Sequence, residues 1–364
     1  MRPKIIICSK DLEAKGGVAN FYRELNEVWN YQSHQLVYFN IGSHSSDYVH
    51  REKRYFGYLT DSIRQYREFY RLLKREKPNK VVVNPSLIPI AIIRDGIYVL
   101  ISKYLKIKSI TFVRGWREGF FNRRFLSYFF KSVYKNSSEF IVLSKKFKTE
   151  LEKHFKGHNI HVVYTTYDNS QLQERKTKSS DEIIKMVYIS RISELKGIME
   201  LLEALKLLVA NKYTSFSMDI YGHYRSSEIE EKINDFLSLN PEVKSKINIL
   251  GFIDKTTKYE VLSQSHVFLL PSYMEGCPNA VIEATASGCF VIATNVGAIP
   301  EIVEDGFNAF LVAPKKVLQL KDAIASFLDN KSFYLENCSE SKLKIKDRFE
   351  INAVRNQLYN IFVN

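Results

Sequence analysis

Twelve short runs of β-branched and aliphatic residues, each followed by a longer stretch of helical periodicity, constrain this chain more than any other feature. In the first half they fall at 5–8, 35–39, 80–83, 109–113, 139–143 and 161–163, and in the second at 184–189, 216–221, 247–250, 267–270, 290–293 and 309–312. Most are continuous apolar runs rather than alternating ones. That is how strands look when helices cover both faces of a parallel sheet. Six strands with intervening helices, repeated twice, predict an α/β chain of two doubly wound domains. The length of 364 residues agrees, since it exceeds what one ordinary core accommodates.

The boundary reads from polarity. Residues 168–182 carry no apolar period and predict a linker or exposed loop. The expected organisation is a first domain over 1–168, a second over 169–345 and a terminal helix within 346–364. That last stretch places Ile351, Val354, Leu358 and Ile361 at helical spacing and is expected to pack back toward the first domain. In open α/β sheets ligands bind beyond the carboxyl ends of the strands, so the cleft between two such domains is the default site.

Charge divides the same way. The net charge is +13, but residues 1–168 hold 30 Lys and Arg against 15 Asp and Glu, while residues 169–364 hold 23 against 25. An acidic partner is therefore expected at the first half. Two basic, aromatic stretches stand out there. In 61–77, Ile63, Tyr66, Tyr70 and Leu73 share one side of a helix and Arg64, Arg67, Arg71 and Lys74 recur beside them. In 116–135, Phe120, Phe121, Phe125, Phe129 and Phe130 lie among Arg117, Arg123, Arg124, Lys131 and Lys135. Each suits an interfacial helix on anionic lipid, and each suits an ordinary helix with an apolar core face and a charged outer face. The apolar stretch from Leu87 is interrupted by Arg94 and Asp95, too soon for a membrane span of about 20 residues. Cys8, Cys277, Cys289 and Cys338 show no metal or redox spacing and read as reduced thiols. With no export signal, the expected location is the cytoplasm, with peripheral contact at the inner face of the membrane an open possibility.

Three segments carry candidate chemistry. After the strand ending at Leu270, Glu275 and Gly276 sit in a loop, a helix starts at Pro278 or Asn279, Glu283 lies within it, and Gly288 stops it. Two carboxylates eight residues apart can hold separate hydroxyl-bearing parts of one extended ligand. The helix N-terminus between them suits a phosphate. Directly after the strand 184–189, Arg191 and Lys196 precede Gly197, and Arg can grip a phosphate bidentately while Lys adds a point charge. Gly16 and Gly17 follow the first strand and would let backbone approach a ligand, although they do not spell a dinucleotide fingerprint. Taken singly, each segment reads equally as a surface loop, a solvated basic loop or a plain turn. Two of them at one edge of one sheet weaken that plainer reading.

Together these residues resemble the retaining glycosyltransferases of family 4. Glu275-Gly276-Cys277-Pro278-Asn279-Ala280-Val281-Ile282-Glu283 looks like their E-x7-E signature, Arg191 to Lys196 and Gly197 like their R-x4-K-G segment, and Gly16-Gly17 like their N-terminal glycine loop. The resemblance runs through essentially the whole chain and is strongest from 184 to 312. It implies the GT-B fold, two Rossmann-like domains facing across a cleft, with the acceptor bound by the first and a nucleoside diphosphate sugar by the second. It also implies roles. Arg191 and Lys196 would bind the diphosphate, Glu283 the ribose and Glu275 the transferred sugar. Backbone around Gly276, Cys277, Pro278 and Asn279 would position sugar and phosphate, with Gly16 and Gly17 closing on the donor. No metal or other cofactor is expected, since Arg and Lys would neutralise the leaving diphosphate, and there is no D-x-D motif.

The sequence departs from the family in three places. Where many relatives carry a His, it reads Val113-Arg114-Gly115-Trp116, so Arg114 and Trp116 are the candidate sugar or acceptor contacts. The usual N-G after the sixth strand is replaced by Tyr164 to Asp168, and the glycine cluster after the second strand of the second domain is reduced to Gly222-His223, with His223 expected on a surface loop. The acceptor class that fits the basic half is a glycan or lipid-linked glycan, as in bacterial surface polysaccharide assembly. Two alternatives stay open: a sugar-nucleotide epimerase of similar fold, and a basic nucleic-acid-binding protein, although no nucleic-acid-binding motif supports the latter.

Overall fold

The computed structural model describes residues 2–14, 16–31, 33–41, 55–116, 119–176 and 183–363. Arg117 and the polar residues 177–182 lie outside them. The chain divides into two compact units, Met1–Tyr164 with Val354–Asn364, and Thr165–Ala353.

The first unit runs β1 (Lys4–Ser9), α1 (Gly17–Val28), β2 (Gln35–Asn40), α2 (Tyr55–Glu76), β3 (Lys80–Val83), α3 (Pro89–Tyr104), β4 (Lys108–Val113), α4 (Arg124–Tyr134), β5 (Glu139–Val142), α5 (Lys145–Glu152) and β6 (Asn159–Val162). The second runs β7 (Ile184–Ile189), α6 (Ile198–Ala210), β8 (Phe216–Tyr221), α7 (Ser227–Leu239), α8 (Pro241–Lys244), β9 (Ile247–Gly251), α9 (Lys255–Gln264), β10 (Val267–Leu270), α10 (Asn279–Ser287), β11 (Phe290–Thr294), α11 (Ile299–Ile302), β12 (Ala309–Val312), α12 (Val317–Asp329) and α13 (Lys331–Phe349). A last helix, α14 (Ile351–Val363), returns the chain to the first unit from Val354 onward.

All twelve strands stand where the apolar runs place them. Each unit holds one six-stranded sheet, ordered β2-β1-β3-β4-β5-β6 and β12-β11-β10-β7-β8-β9, and every pairing is parallel. This is the expected pair of doubly wound α/β layers. Central strands such as β3, β10 and β11 are buried along their whole length, as continuous apolar runs require. β8 alternates buried and half-buried residues, which its sequence FSMDIY also does.

Between the units the chain changes over at Tyr164/Thr165, four residues before the polar run, and back at Val354. Hydrogen bonds fix that placement. Thr165 donates to the Asn279 side chain at 2.7 Å, and Tyr167 exchanges backbone bonds with Phe349 and Ile351 at 3.0 and 3.2 Å. Within the first unit α14 is tied by its carbonyl at Ile361, which accepts from Lys80 Nζ at 2.8 Å, and by Tyr359, whose ring stacks on Tyr31 at 3.8 Å.

Candidate active site

In the second sheet the chain leaves β7 outward to β8 and β9, then returns to β10 on the other side and continues to β11 and β12. The order of the sheet thus reverses between neighbouring β7 and β10, the kind of switch point at whose carboxyl edge ligands bind in open α/β sheets. The loops that follow these two strands carry Arg191 to Gly197 and Glu275 to Asn279.

Backbone contacts hold the two loops together. The Tyr273 N–H donates to the Leu195 carbonyl at 2.9 Å. Gly197 has φ +71, and a Cβ there would lie 2.0 Å from the Pro271 carbonyl oxygen, so only glycine fits. On the other flank Gly297, φ +59, leaves no room for a Cβ beside the Glu275 carbonyl, and the Ala298 N–H donates to the Gly276 carbonyl at 2.8 Å. The Glu275-Gly276 turn is thus clamped on both sides.

Two carboxylate–ammonium pairs stand at this edge of the sheet. Lys196 Nζ meets Glu275 Oε1 at 2.5 Å, and Lys258 Nζ meets Glu283 Oε1 at 2.6 Å. The glutamate side chains are 9% and 7% exposed, so these pairs are screened far less than surface ones. Between the glutamates α10 begins, with Pro278 as its N-cap at φ −76 and ψ 116 and no side chain capping it. The first-turn N–H groups and the positive end of the helix dipole point out of this turn. Pro278 has no N–H, so the backbone donors expected there reduce to those of its neighbours. Cys277 is buried. The Arg191 side chain is exposed at the mouth of the loop, and its carbonyl accepts from the Tyr188 hydroxyl at 3.1 Å. Among the described residues the Arg191 guanidinium pairs with no acid.

Lys258 is the site residue that the sequence reading missed. It lies in the second turn of α9, whose sequence KTTKYEVLSQ matches no motif. Asp254 fixes the start of that helix by accepting from the Thr256 and Thr257 N–H groups at 3.0 and 3.1 Å, which places Lys258 one turn further along. His223 is exposed, as expected, and stacks on exposed Phe252 with centroids 5.3 Å apart and planes 8° apart.

In the first unit Gly16, φ +134, immediately precedes α1, and a Cβ on Gly16 or Gly17 would meet nothing within 4 Å. Arg114 follows β4 and lays its guanidinium over the rings of Phe21 and Phe112, at 3.8 and 4.8 Å from their centroids. Burial pushes the neighbouring Tyr22 hydroxyl up to about 12, against a downward pull from Arg114. Trp116 departs from expectation. Its ring is 9% exposed and stacks on Phe147 at 4.6 Å and 12°, so the core takes up the face that a sugar would have used.

The two basic stretches also separate. On α2 the buried stripe is Gln65, Phe69 and Leu73; of the expected Ile63-Tyr66-Tyr70-Leu73 face Leu73 is buried, Tyr66 and Tyr70 are half-buried and Ile63 is exposed, and Arg64 lies 3.5 and 3.9 Å from Asp61 and Glu68. That is an ordinary solvated helix. On α4 the core takes Ser127, Phe130, Val133 and Tyr134, while Phe125 and Tyr128 stand exposed. Among the described residues no helix is long and apolar enough to cross a membrane, and no three His, Cys, Asp or Glu side chains gather as metal ligands.

The fold is that of a GT-B protein. Residues 169–344, nearly the whole second unit, match the family described as "Glycosyl transferases group 1". The second unit thus carries a glycosyl transferases group 1 domain, a match that covers just under half of the chain. The chain is 27% identical over 199 residues to the capsular polysaccharide biosynthesis glycosyltransferase CapM of Staphylococcus aureus, covering 54% of this chain and 51% of CapM. The chain thus spans about half the length of the curated relatives it matches. Sucrose-phosphate synthase from Thermosynechococcus elongatus superposes with a TM-score of 0.79 at 16% identity, over 99% of this chain and 98% of that one. HepE from Anabaena, solved with UDP and glucose, gives 0.76 at 14% identity over the full length of both chains.

Proposed function

We propose that the protein transfers a sugar from a nucleoside diphosphate sugar to a glycan or lipid-linked glycan, with retention at the anomeric carbon and without a metal ion, during assembly of a surface polysaccharide at the membrane periphery. One observation carries the reading: two glutamates, each held by a lysine, flank the N-terminus of α10 in a glycosyl transferases group 1 domain. The kinship to a capsular polysaccharide glycosyltransferase supports the pathway class, and HepE's complex with UDP and glucose supports the donor class. The epimerase and nucleic-acid alternatives gain no support from these relatives.

The chemistry breaks the bond between the anomeric carbon and the β-phosphate oxygen and forms one to an acceptor hydroxyl, which releases its proton. The charge that develops on the leaving diphosphate falls to Arg191, Lys196 and the N–H groups of α10. Lys196 already lies on Glu275, so an arriving diphosphate shares this ammonium with the carboxylate. That contact couples donor binding to the orientation of Glu275 toward the sugar. Glu283, steadied by Lys258, offers its second oxygen to the ribose hydroxyls.

Calorimetric titration with UDP, GDP, ADP and CMP in metal-free buffer tests this reading, on the wild type and on Arg191→Ala/Lys196→Ala. The expected result is selective binding of one nucleotide that the double variant loses. Binding to none of the four overturns it.

A further inference from the structure

α3 is apolar on two sides. One side is core, with Ala91, Ile92, Tyr98 and Val99 buried. The other exposes Ile90, Ile93, Leu100 and Tyr104. A helix with an apolar stripe on its solvent side as well as on its core side calls for a second apolar environment. α4 packs beside α3 and adds Phe125 and Tyr128, at 81% and 71% exposure. Pro89 and Ile93 of α3 and Arg124, Phe125 and Phe129 of α4 line an open groove of about 320 Å³, with Arg123 at its edge.

The charges at this groove decide what covers it. Among the described residues Arg123 and Arg124 pair with no acid, whereas Arg64 on α2 is answered by Asp61 and Glu68 on its own helix. The whole of residues 1–168 is strongly basic. Isoleucine, phenylalanine and tyrosine projecting beside unpaired arginines match an anionic bilayer, where rings sit at the headgroup level and guanidinium groups meet phosphates.

We infer that the exposed faces of α3 and α4 form the surface by which this protein sits on an anionic membrane, with Ile90, Ile93, Phe125 and Tyr128 entering the headgroup–acyl boundary and Arg123 and Arg124 contacting lipid phosphates. The inference rests on the proposed function only for its biological sense, because the acceptor would then be met at the same surface. Physically it stands on the patch alone.

Flotation tests it, using the full chain with vesicles of equal parts phosphatidylglycerol and phosphatidylcholine, and with phosphatidylcholine alone. The wild type is expected to float with the anionic vesicles only. Arg123→Gln/Arg124→Gln should weaken that binding roughly 30-fold at low salt, and Phe125→Ser/Tyr128→Ser should weaken it at least about tenfold. Both pairs are surface changes, and circular dichroism and nucleotide titration on the same variants are expected to match the wild type. Retention of vesicle binding by Phe125→Ser/Tyr128→Ser overturns the inference. So does a wild type that ignores vesicles and instead forms a dimer that this variant abolishes. A protein that floats but binds no nucleotide refutes the proposed function and leaves this surface standing.

Discussion

Lys258 Nζ lies 2.6 Å from Glu283 Oε1, on a helix that enters the site from outside every recognisable motif. The pair commits one oxygen of Glu283 to Lys258 and leaves the other for the ribose hydroxyls that Glu283 is proposed to hold. Lys258→Met is therefore expected to lower affinity for the selected nucleoside diphosphate about tenfold, since stranding a mostly buried charge costs about 1–3 kcal/mol. Inorganic pyrophosphate, which has no ribose, should bind the variant nearly as well as the wild type. Equal losses for both ligands in calorimetry would reduce Lys258 to a general supplier of positive charge.

Glu275 and Glu283 are expected to fail differently. Glu275→Gln should cut turnover by about 100-fold or more with modest loss of donor binding, the signature of a contact that matters at the transition state. Glu283→Ala should mainly weaken nucleotide binding. Steady-state kinetics beside titration separates the two, and unchanged donor affinity in Glu283→Ala would falsify its assignment to the ribose.

Gly197 holds the two site loops in contact through a position no side chain can occupy. Gly197→Ala places a methyl group against the Pro271 carbonyl and an alanine at φ +71. Backbone strain alone costs roughly 1–3 kcal/mol, and the clash forces the loops apart. Both the melting temperature and nucleotide affinity should fall. Gly17→Ala, which faces open space, should leave the melting temperature almost unchanged.

A pH effect belongs to the first unit. Burial raises the Glu139 carboxyl, but hydrogen bonds from Lys80 and His161 outweigh it and hold the group below its ordinary value of 4.5. A carboxyl depressed by folding contributes stability that is present above the ordinary carboxylate range and is lost as pH falls through the folded value. Chemical denaturation from neutral pH to pH 3 should therefore show the wild type losing stability below about pH 4.5, and Glu139→Gln should flatten that decline. An unchanged slope in the variant would remove Glu139 from the acid response.

The sheets were legible because burial on both faces writes itself directly into composition, as at Val81–Val83 and Val291–Ala293. Arg191, Lys196 and Glu275 were legible as candidates because each lies in a loop that follows a strand's carboxyl end, and Glu283 because it lies in the helix that the Glu275 loop leads into. Lys258 was not, since its importance comes from how α9 packs on α10, and no local pattern encodes that. Trp116 misled for a related reason: an aromatic after a strand looks like a ligand platform until Phe147, from α5, covers its face. The stripe on α2 shifted because Phe69 outcompetes Tyr70 for the dry side, and tyrosine can leave its hydroxyl wet at little loss.

The return of α14 has a practical corollary for anyone recombining proteins of this fold. Because Val354–Asn364 completes the unit begun by Met1–Tyr164, exchanging the second unit for that of another protein of this fold requires two seams, one near 164 and one near 353. A chimera spliced only at the first seam would give the amino-terminal unit a foreign last helix, and Lys80 and Tyr31 would have to find new partners in it.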